Sequence, residues 1–180
     1  DLVRIDALVR LLAEQLPDDL LHARDARRAA DEHDLVDFLR GDPGVGDQMP
    51  DIALETPDGG SAKASDFAGR KLVVFFYPKD DTPGCTTENQ DFTALASDFA
   101  AAGTALLGVS KDPPARHRKF AEKYGLAAPL ASDAAEHGLS DALGIWTEKQ
   151  NYGRTYMGMV RTTYLVGADG KIAHVWDKVK

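Results

Sequence analysis

The sequence predicts an α/β domain: a central mixed sheet flanked by helices, preceded by an N-terminal helical extension. Three observations predict it. Lys71–Tyr77 and Thr104–Ser110 are near-continuous apolar runs, the mark of strands buried on both faces. Each is followed by a segment with apolar residues at helical spacing. The chain closes with Arg161–Val166 and Lys171–Trp176 around Asp169-Gly170, which reads as a hairpin. Strand, helix, strand, helix and then an antiparallel hairpin make a mixed sheet with helices on both faces.

Residues 1–45 form an acidic segment unlike the rest. Leu2, Ile5, Leu8, Val9 and Leu12 recur at helical spacing, and Leu35, Val36, Phe38 and Leu39 give another short apolar face. The segment reads as two or three short amphipathic helices or as a partly ordered arm. Gly41-Asp42-Pro43-Gly44 reads as a linker, so the main domain is expected over residues 46–180. Within it, Asp51–Leu54 and the turn Pro57–Gly60 predict a small hairpin. Ser65 is placed to cap a short turn around Asp66-Phe67.

After the first buried strand comes the turn Pro78–Pro83. Phe92, Leu95 and Phe99 give the stripe of the next helix, with Gly103 as its C-terminal cap. Pro113-Pro114 opens a helix through Phe120 and Tyr124 that ends near Gly125. Leu130–Asp133 reads as a strand end and Glu136–Leu143 as a short helix.

A formal net charge of −8 speaks against a nucleic-acid surface, which carries a basic patch. No apolar run reaches the ~20 residues that span a bilayer. The chain opens on Asp1 rather than Met, which leaves targeting unread. The five histidines show no ligand spacing, so no metal is expected, and no phosphate-binding loop or other cofactor signature is present.

The one cysteine, Cys85, excludes an internal disulfide and multi-cysteine zinc sites. A free thiol of this kind points to a reducing compartment, hence a cytoplasmic location. It follows Pro83-Gly84 in a polar turn, outside the apolar runs, so it is not expected to be a core residue. Thr82 suits the N-cap and Pro83 the first helical position, which puts Cys85 in the first turn of a helix. There the unpaired N–H groups and the positive helix end stabilise a thiolate, the form that reacts with electrophiles such as peroxides.

The string Phe76-Tyr77-Pro78-Lys79-Asp80-Asp81-Thr82-Pro83-Gly84-Cys85-Thr86-Thr87-Glu88 resembles the active-site signature of the peroxiredoxins, in particular the Q-type branch, the bacterioferritin comigratory proteins. Phe120–Tyr124, Leu143-Gly144-Ile145-Trp146 and Gly170-Lys171-Ile172 fall in the order that branch shows, and the resemblance runs from about Gly46 to Lys180. It implies a thioredoxin-like fold and thiol-dependent reduction of hydrogen peroxide and organic hydroperoxides. It implies Cys85 as the nucleophile, Thr82 as the hydroxyl that binds the peroxide, Arg161 as the stabiliser of thiolate and peroxide, and Pro78 as the shield against water. It also implies a C-terminal helix beyond Lys180, and a monomer or weak dimer.

One departure matters. Many Q-type members carry a resolving cysteine five residues after the first, where this chain has Gln90. The resemblance is therefore to a one-cysteine variant, its sulfenic acid resolved by an external thiol: thioredoxin, glutathione with glutaredoxin, or another small thiol. A second function class stays open, a redox sensor or interaction protein whose partner binding follows Cys85 oxidation. Lys111, Arg116, His117, Arg118 and Lys119 read as a solvated basic helix face, with a site for an anionic thiol as the sharper reading. Trp146 is expected near the active site.

Overall fold

The computed structural model describes residues 42–151, 153–177 and 179. Most of the N-terminal segment assigned to residues 1–45 therefore lies outside the described residues. The strands are β1 (Leu54–Glu55), β2 (Ser61–Ala62), β3 (Lys71–Phe76), β4 (Thr104–Ser110), β5 (Leu130–Ser132), β6 (Trp146–Asn151), β7 (Arg154–Met159), β8 (Thr162–Val166) and β9 (Ile172–Trp176). The helices are α1 (Pro83–Ala94), α2 (Ala96–Ala101), α3 (Pro114–Tyr124) and α4 (Leu139–Ala142), with one 3-10 turn at Ala64–Phe67.

The main sheet runs in the order β2-β1-β5-β4-β3-β8-β9. Strands β3, β4 and β5 are parallel, with Val73 opposite Leu106 and Val109 opposite Ala131. β8 joins β3 antiparallel, with Val74 opposite Tyr164, and β9 closes on β8. The mixed sheet expected from the sequence is the one observed. None of the described helices is long and apolar enough to cross a membrane.

The pleat decides what each face buries, because successive side chains of a strand point to opposite sides. Leu72, Val74 and Phe76 face one core layer, with Leu107, Val109, Tyr164 and Val166. Val73, Phe75 and Tyr77 face the other, with Phe92, Phe99, Phe120 and Leu165. Helices α1 to α3 cover this second face. Gly108 makes the closest fit there: a Cβ at this position would stand 2.7 Å from Phe75 Cζ and 2.8 Å from Leu130 Cδ2. The absent side chain lets Phe75 lie flat, and its ring stacks on Phe92 of α1 at a centroid distance of 4.0 Å.

Three local readings change. The stripe Phe92, Leu95, Phe99 belongs to two helices that meet at Leu95, where the backbone turns to φ −98°, ψ 3°. Both phenylalanines stay buried across the joint. Ser65 does not cap the 3-10 turn. It lies within it, where its N–H and hydroxyl both donate to the Asp51 carboxylate, at 2.8 and 2.9 Å. The helix expected from Glu136 starts only at Leu139, because His137 takes a left-handed φ of 57° and the Asp133 carboxylate receives the N–H groups of Leu139 and Ser140.

Candidate active site

The site is built where β3 hands the chain to α1. Tyr77 prolongs β3 by one bond, its N–H donating to Val109 O at 3.0 Å. Pro78 has no N–H to continue the ladder, and it is exposed at the start of the turn. Asp81 then takes a left-handed φ of 61°. Its carboxylate is gripped by Lys123 Nζ at 2.8 Å and Tyr124 Oη at 2.6 Å, both from the end of α3.

Thr82 is the N-cap in extended backbone and Pro83 the first helical residue, as the sequence predicts. The capping bond itself is absent. The Thr82 hydroxyl donates instead to Lys79 O at 3.0 Å, closing the turn it ends, while the Thr82 carbonyl accepts the N–H of Thr86 at 2.8 Å.

Cys85 follows in the first turn of α1, and here the sequence reading needs correction. The sulfur is not held out of the core: Cys85 is 1 % exposed and packs with the Phe75–Tyr77–Phe92 layer. The polar sequence around it concealed this, because the helix turns Cys85, Glu88, Asn89 and Phe92 inward and leaves Thr87 and Gln90 to solvent.

Arg161, between β7 and β8, reaches this buried sulfur. Its Nη2 lies 3.1 Å from Cys85 Sγ, and its Nη1 pairs with Glu88 Oε2. One planar guanidinium thus serves two groups one turn apart on α1. Burial pushes the Glu88 carboxyl up to about 7, against the pull of Arg161, which favours its ionised form. Burial, and next the Arg161 charge, lower the pKa of Lys149 on β6. Behind the sulfur, Asn89 donates its Nδ2 to the Cys85 carbonyl at 2.9 Å.

Of the predicted site residues, the structure joins Cys85 and Arg161 directly, puts Thr82 at the head of the same helix and sets Pro78 four residues before it. Sequence reasoning missed Glu88 and Asn89. Their spacing, three and four residues after Cys85, was the available signal. Three cations of the basic cluster are committed to partners within the chain. Arg116 is committed to Asp112 and to Asp80 O, Arg118 to Pro57 O, and Lys111 to Asp133 and Asp141. His117, expected on a solvated face, is completely buried. Trp146 opens β6 partly buried on the first core layer, 5.3 Å from Lys111 Nζ to its ring centroid.

A sheet of this topology, with a thiol at the head of the helix after its central strand and a guanidinium on the sulfur, defines a thioredoxin-like thiol peroxidase. The AhpC/TSA family matches residues 45–175. Peroxiredoxin Bcp of Bacillus subtilis is 42% identical over 136 residues, 76% of this chain and 86% of the relative. Peroxiredoxin Bcp of Escherichia coli K12 is 40% identical over the same shares of the two chains. Among solved structures, the bacterioferritin comigratory protein of Xanthomonas campestris has a TM-score of 0.70 at 39% identity, covering 76% of this chain and 89% of that one. BcpB of Mycobacterium tuberculosis has a TM-score of 0.66 at 32% identity, covering 76% and 86%. The chain belongs to the AhpC/TSA family, in its Bcp/Q-type peroxiredoxin branch.

Residues 1–54 are also similar to the family described as NAD-specific glutamate dehydrogenase. Most of that span lies outside the described residues. Its described part, from Asp42, leads into β1, which lies between the edge strand β2 and β5 in the peroxiredoxin sheet.

Proposed function

We propose that the chain reduces hydrogen peroxide and organic hydroperoxides through a sulfenic acid on Cys85, and that an external thiol closes the cycle. The observation that carries this reading is the 3.1 Å contact between Arg161 Nη2 and Cys85 Sγ at a buried helix start. A cation at the sulfur and the positive helix end both favour the thiolate. The thiolate attacks one peroxide oxygen in line with the O–O bond. The S–O bond forms, the O–O bond breaks, and its electron pair leaves on the second oxygen, which takes up a proton as water or alcohol. The sulfur is oxidised by two electrons and the peroxide reduced by two. Arg161 stabilises the charge as it moves from sulfur to the leaving oxygen. The Thr82 hydroxyl, its proton spent on Lys79 O, offers lone pairs to the peroxide O–H. Pro78 shields the sulfur.

An incoming thiol then attacks the sulfenic sulfur, releasing water and leaving a mixed disulfide. A second thiol displaces Cys85. Thioredoxin or glutathione with glutaredoxin would supply these thiols in a reducing cytoplasm, and the protein would work as a monomer or weak dimer. Treating the protein with peroxide and a dimedone-type probe tests the first half. Labelling should fall on Cys85 and vanish in Cys85→Ser; peroxide consumption unchanged in that variant would sink the reading. Repeated turnover with a supplied thiol separates the enzyme from a stoichiometric redox sensor.

A further inference from the structure

The turn that presents Cys85 is held from behind by a buried polar network that the reaction above does not use. Asp80 is at its centre and is fully buried. Its backbone N–H donates to Asp112 Oδ2 at 2.7 Å, and its carbonyl accepts from Arg116 Nη2 at 3.0 Å. Its carboxylate accepts the Tyr77 hydroxyl at 2.7 Å and lies 2.8 Å from Nδ1 of His117, which is 0 % exposed on α3. His117 Nδ1 is also 3.4 Å from Tyr77 Oη, while neither His117 Nε2 nor Asp80 Oδ2 has an aligned hydrogen-bond partner, so the 2.8 Å approach of His117 to Asp80 is a close electrostatic contact. Burial, and next the Asp80 charge, keep the Tyr77 phenol protonated.

His117 occupies a position that α3 would otherwise fill with a hydrocarbon side chain. With Phe120 and Tyr124 it forms the inward stripe of the helix. A buried carboxylate needs a partner, yet a well-packed apolar pair in place of a buried ionic one is often neutral or stabilising. Stability alone therefore does not account for the pair. An apolar pair would leave the buried Tyr77 hydroxyl without its acceptor and would remove the polar tie between α3 and the backbone running from Pro78 to Thr82.

We propose that His117 is a positioning residue for the peroxide reaction: through Asp80 it locks the Pro78–Thr82 turn and so sets Thr82 and the first turn of α1 in register with Arg161. The proposal rests on the peroxidase reading and adds to it a residue that never touches substrate. Alkylation of Cys85 needs a reachable thiolate, whereas peroxide reduction also needs an aligned acceptor and donors. The two reactions therefore separate positioning from general loosening.

The test uses the full chain with His117→Leu, His117→Asn and Asp80→Asn. Oxidation of Cys85 by hydrogen peroxide is followed by stopped-flow tryptophan fluorescence, and its alkylation by iodoacetamide by mass spectrometry. In His117→Leu the peroxide rate should fall about 10- to 100-fold while alkylation keeps at least its wild-type rate. His117→Asn, which offers an amide N–H near the place of Nδ1, should recover most of the peroxide rate. An unchanged peroxide rate in His117→Leu overturns the proposal. So does a parallel fall of both reactions, or a His117→Asn as slow as His117→Leu. Should His117→Leu not fold, Asp80→Asn decides on the same split. Wild-type protein no faster with peroxide than a free thiol would instead overturn the peroxidase reading, whatever the variants do.

Discussion

Cys85 and Glu88 hold the two arms of one guanidinium: Arg161 gives Nη2 to the sulfur and Nη1 to the carboxylate from opposite sides of its fork. A carboxylate this close competes with the sulfur for the same cation. It also orients that cation, because two fixed partners leave a planar group little freedom.

The first prediction follows from the burial of Glu88. Its folded value of about 7 lies above its ordinary 4.5. Between these values the folded protein keeps a proton that the unfolded chain has released. Raising the pH through that window therefore removes stability, about 3 kcal/mol in all, and the loss is complete above it. Glu88→Gln should lack this slope. Urea denaturation of both proteins between pH 4.5 and 8 checks it, and parallel stability curves would contradict the assignment.

Arg161 itself should be hard to replace. Arg161→Met removes the donor at the sulfur and strands Glu88, and the second-order rate with hydrogen peroxide should drop about 10²- to 10³-fold. Arg161→Lys keeps the charge without the fork, so it should recover only part of the rate. A lysine variant at the wild-type rate would show that charge alone suffices.

How much of this was legible in the sequence depended on whether the signal was local. β3 and β4 were plain because burial on both faces demands unbroken apolar runs. The head of α1 was plain because Thr82-Pro83 is a helix start in its own right. The β6–β7 hairpin escaped. Thr147, Glu148, Gln150 and Thr155 give it no apolar run, and Tyr156 and Met157 are half exposed. His117 read as part of a solvated basic face, and Glu88 and Asn89 had no reading of their own, since their partners Asp80, Arg161 and the Cys85 carbonyl are brought to them by helix geometry or by the fold. The same reason hid the burial of Cys85 itself.

Gly108→Ala tests how tightly the second core layer fixes α1. The new methyl would meet Phe75 and Leu130 well inside contact distance. Overpacking of this kind costs about 1–3 kcal/mol. The displaced Phe75 ring would press on Phe92, and both rings belong to the layer that holds Cys85. Lower urea stability and a slower peroxide reaction should therefore appear together. An alanine variant as stable as wild type would show that the layer yields.

The final prediction concerns Gln90, exposed on α1 five residues after Cys85. In an intact helix, residues five apart are separated by a rise of about 7.5 Å and point away from each other. A disulfide needs Cα atoms within about 7 Å and side chains that face each other. Gln90→Cys can therefore close a bond with Cys85 only if α1 unwinds between them. Unwinding would break the Asn89 bond to the Cys85 carbonyl and pull Glu88 from Arg161. The thiolate that binds Arg161 is gone once the sulfur is oxidised, so the first turn loses one of its anchors at that moment. Peroxide treatment of Gln90→Cys should then give an intrachain disulfide, a loss of far-UV helical signal and little dimedone labelling. Labelling of Cys85 equal to that of the wild type would mean that α1 stays closed after oxidation, and that an external thiol must reach the sulfur through an intact helix.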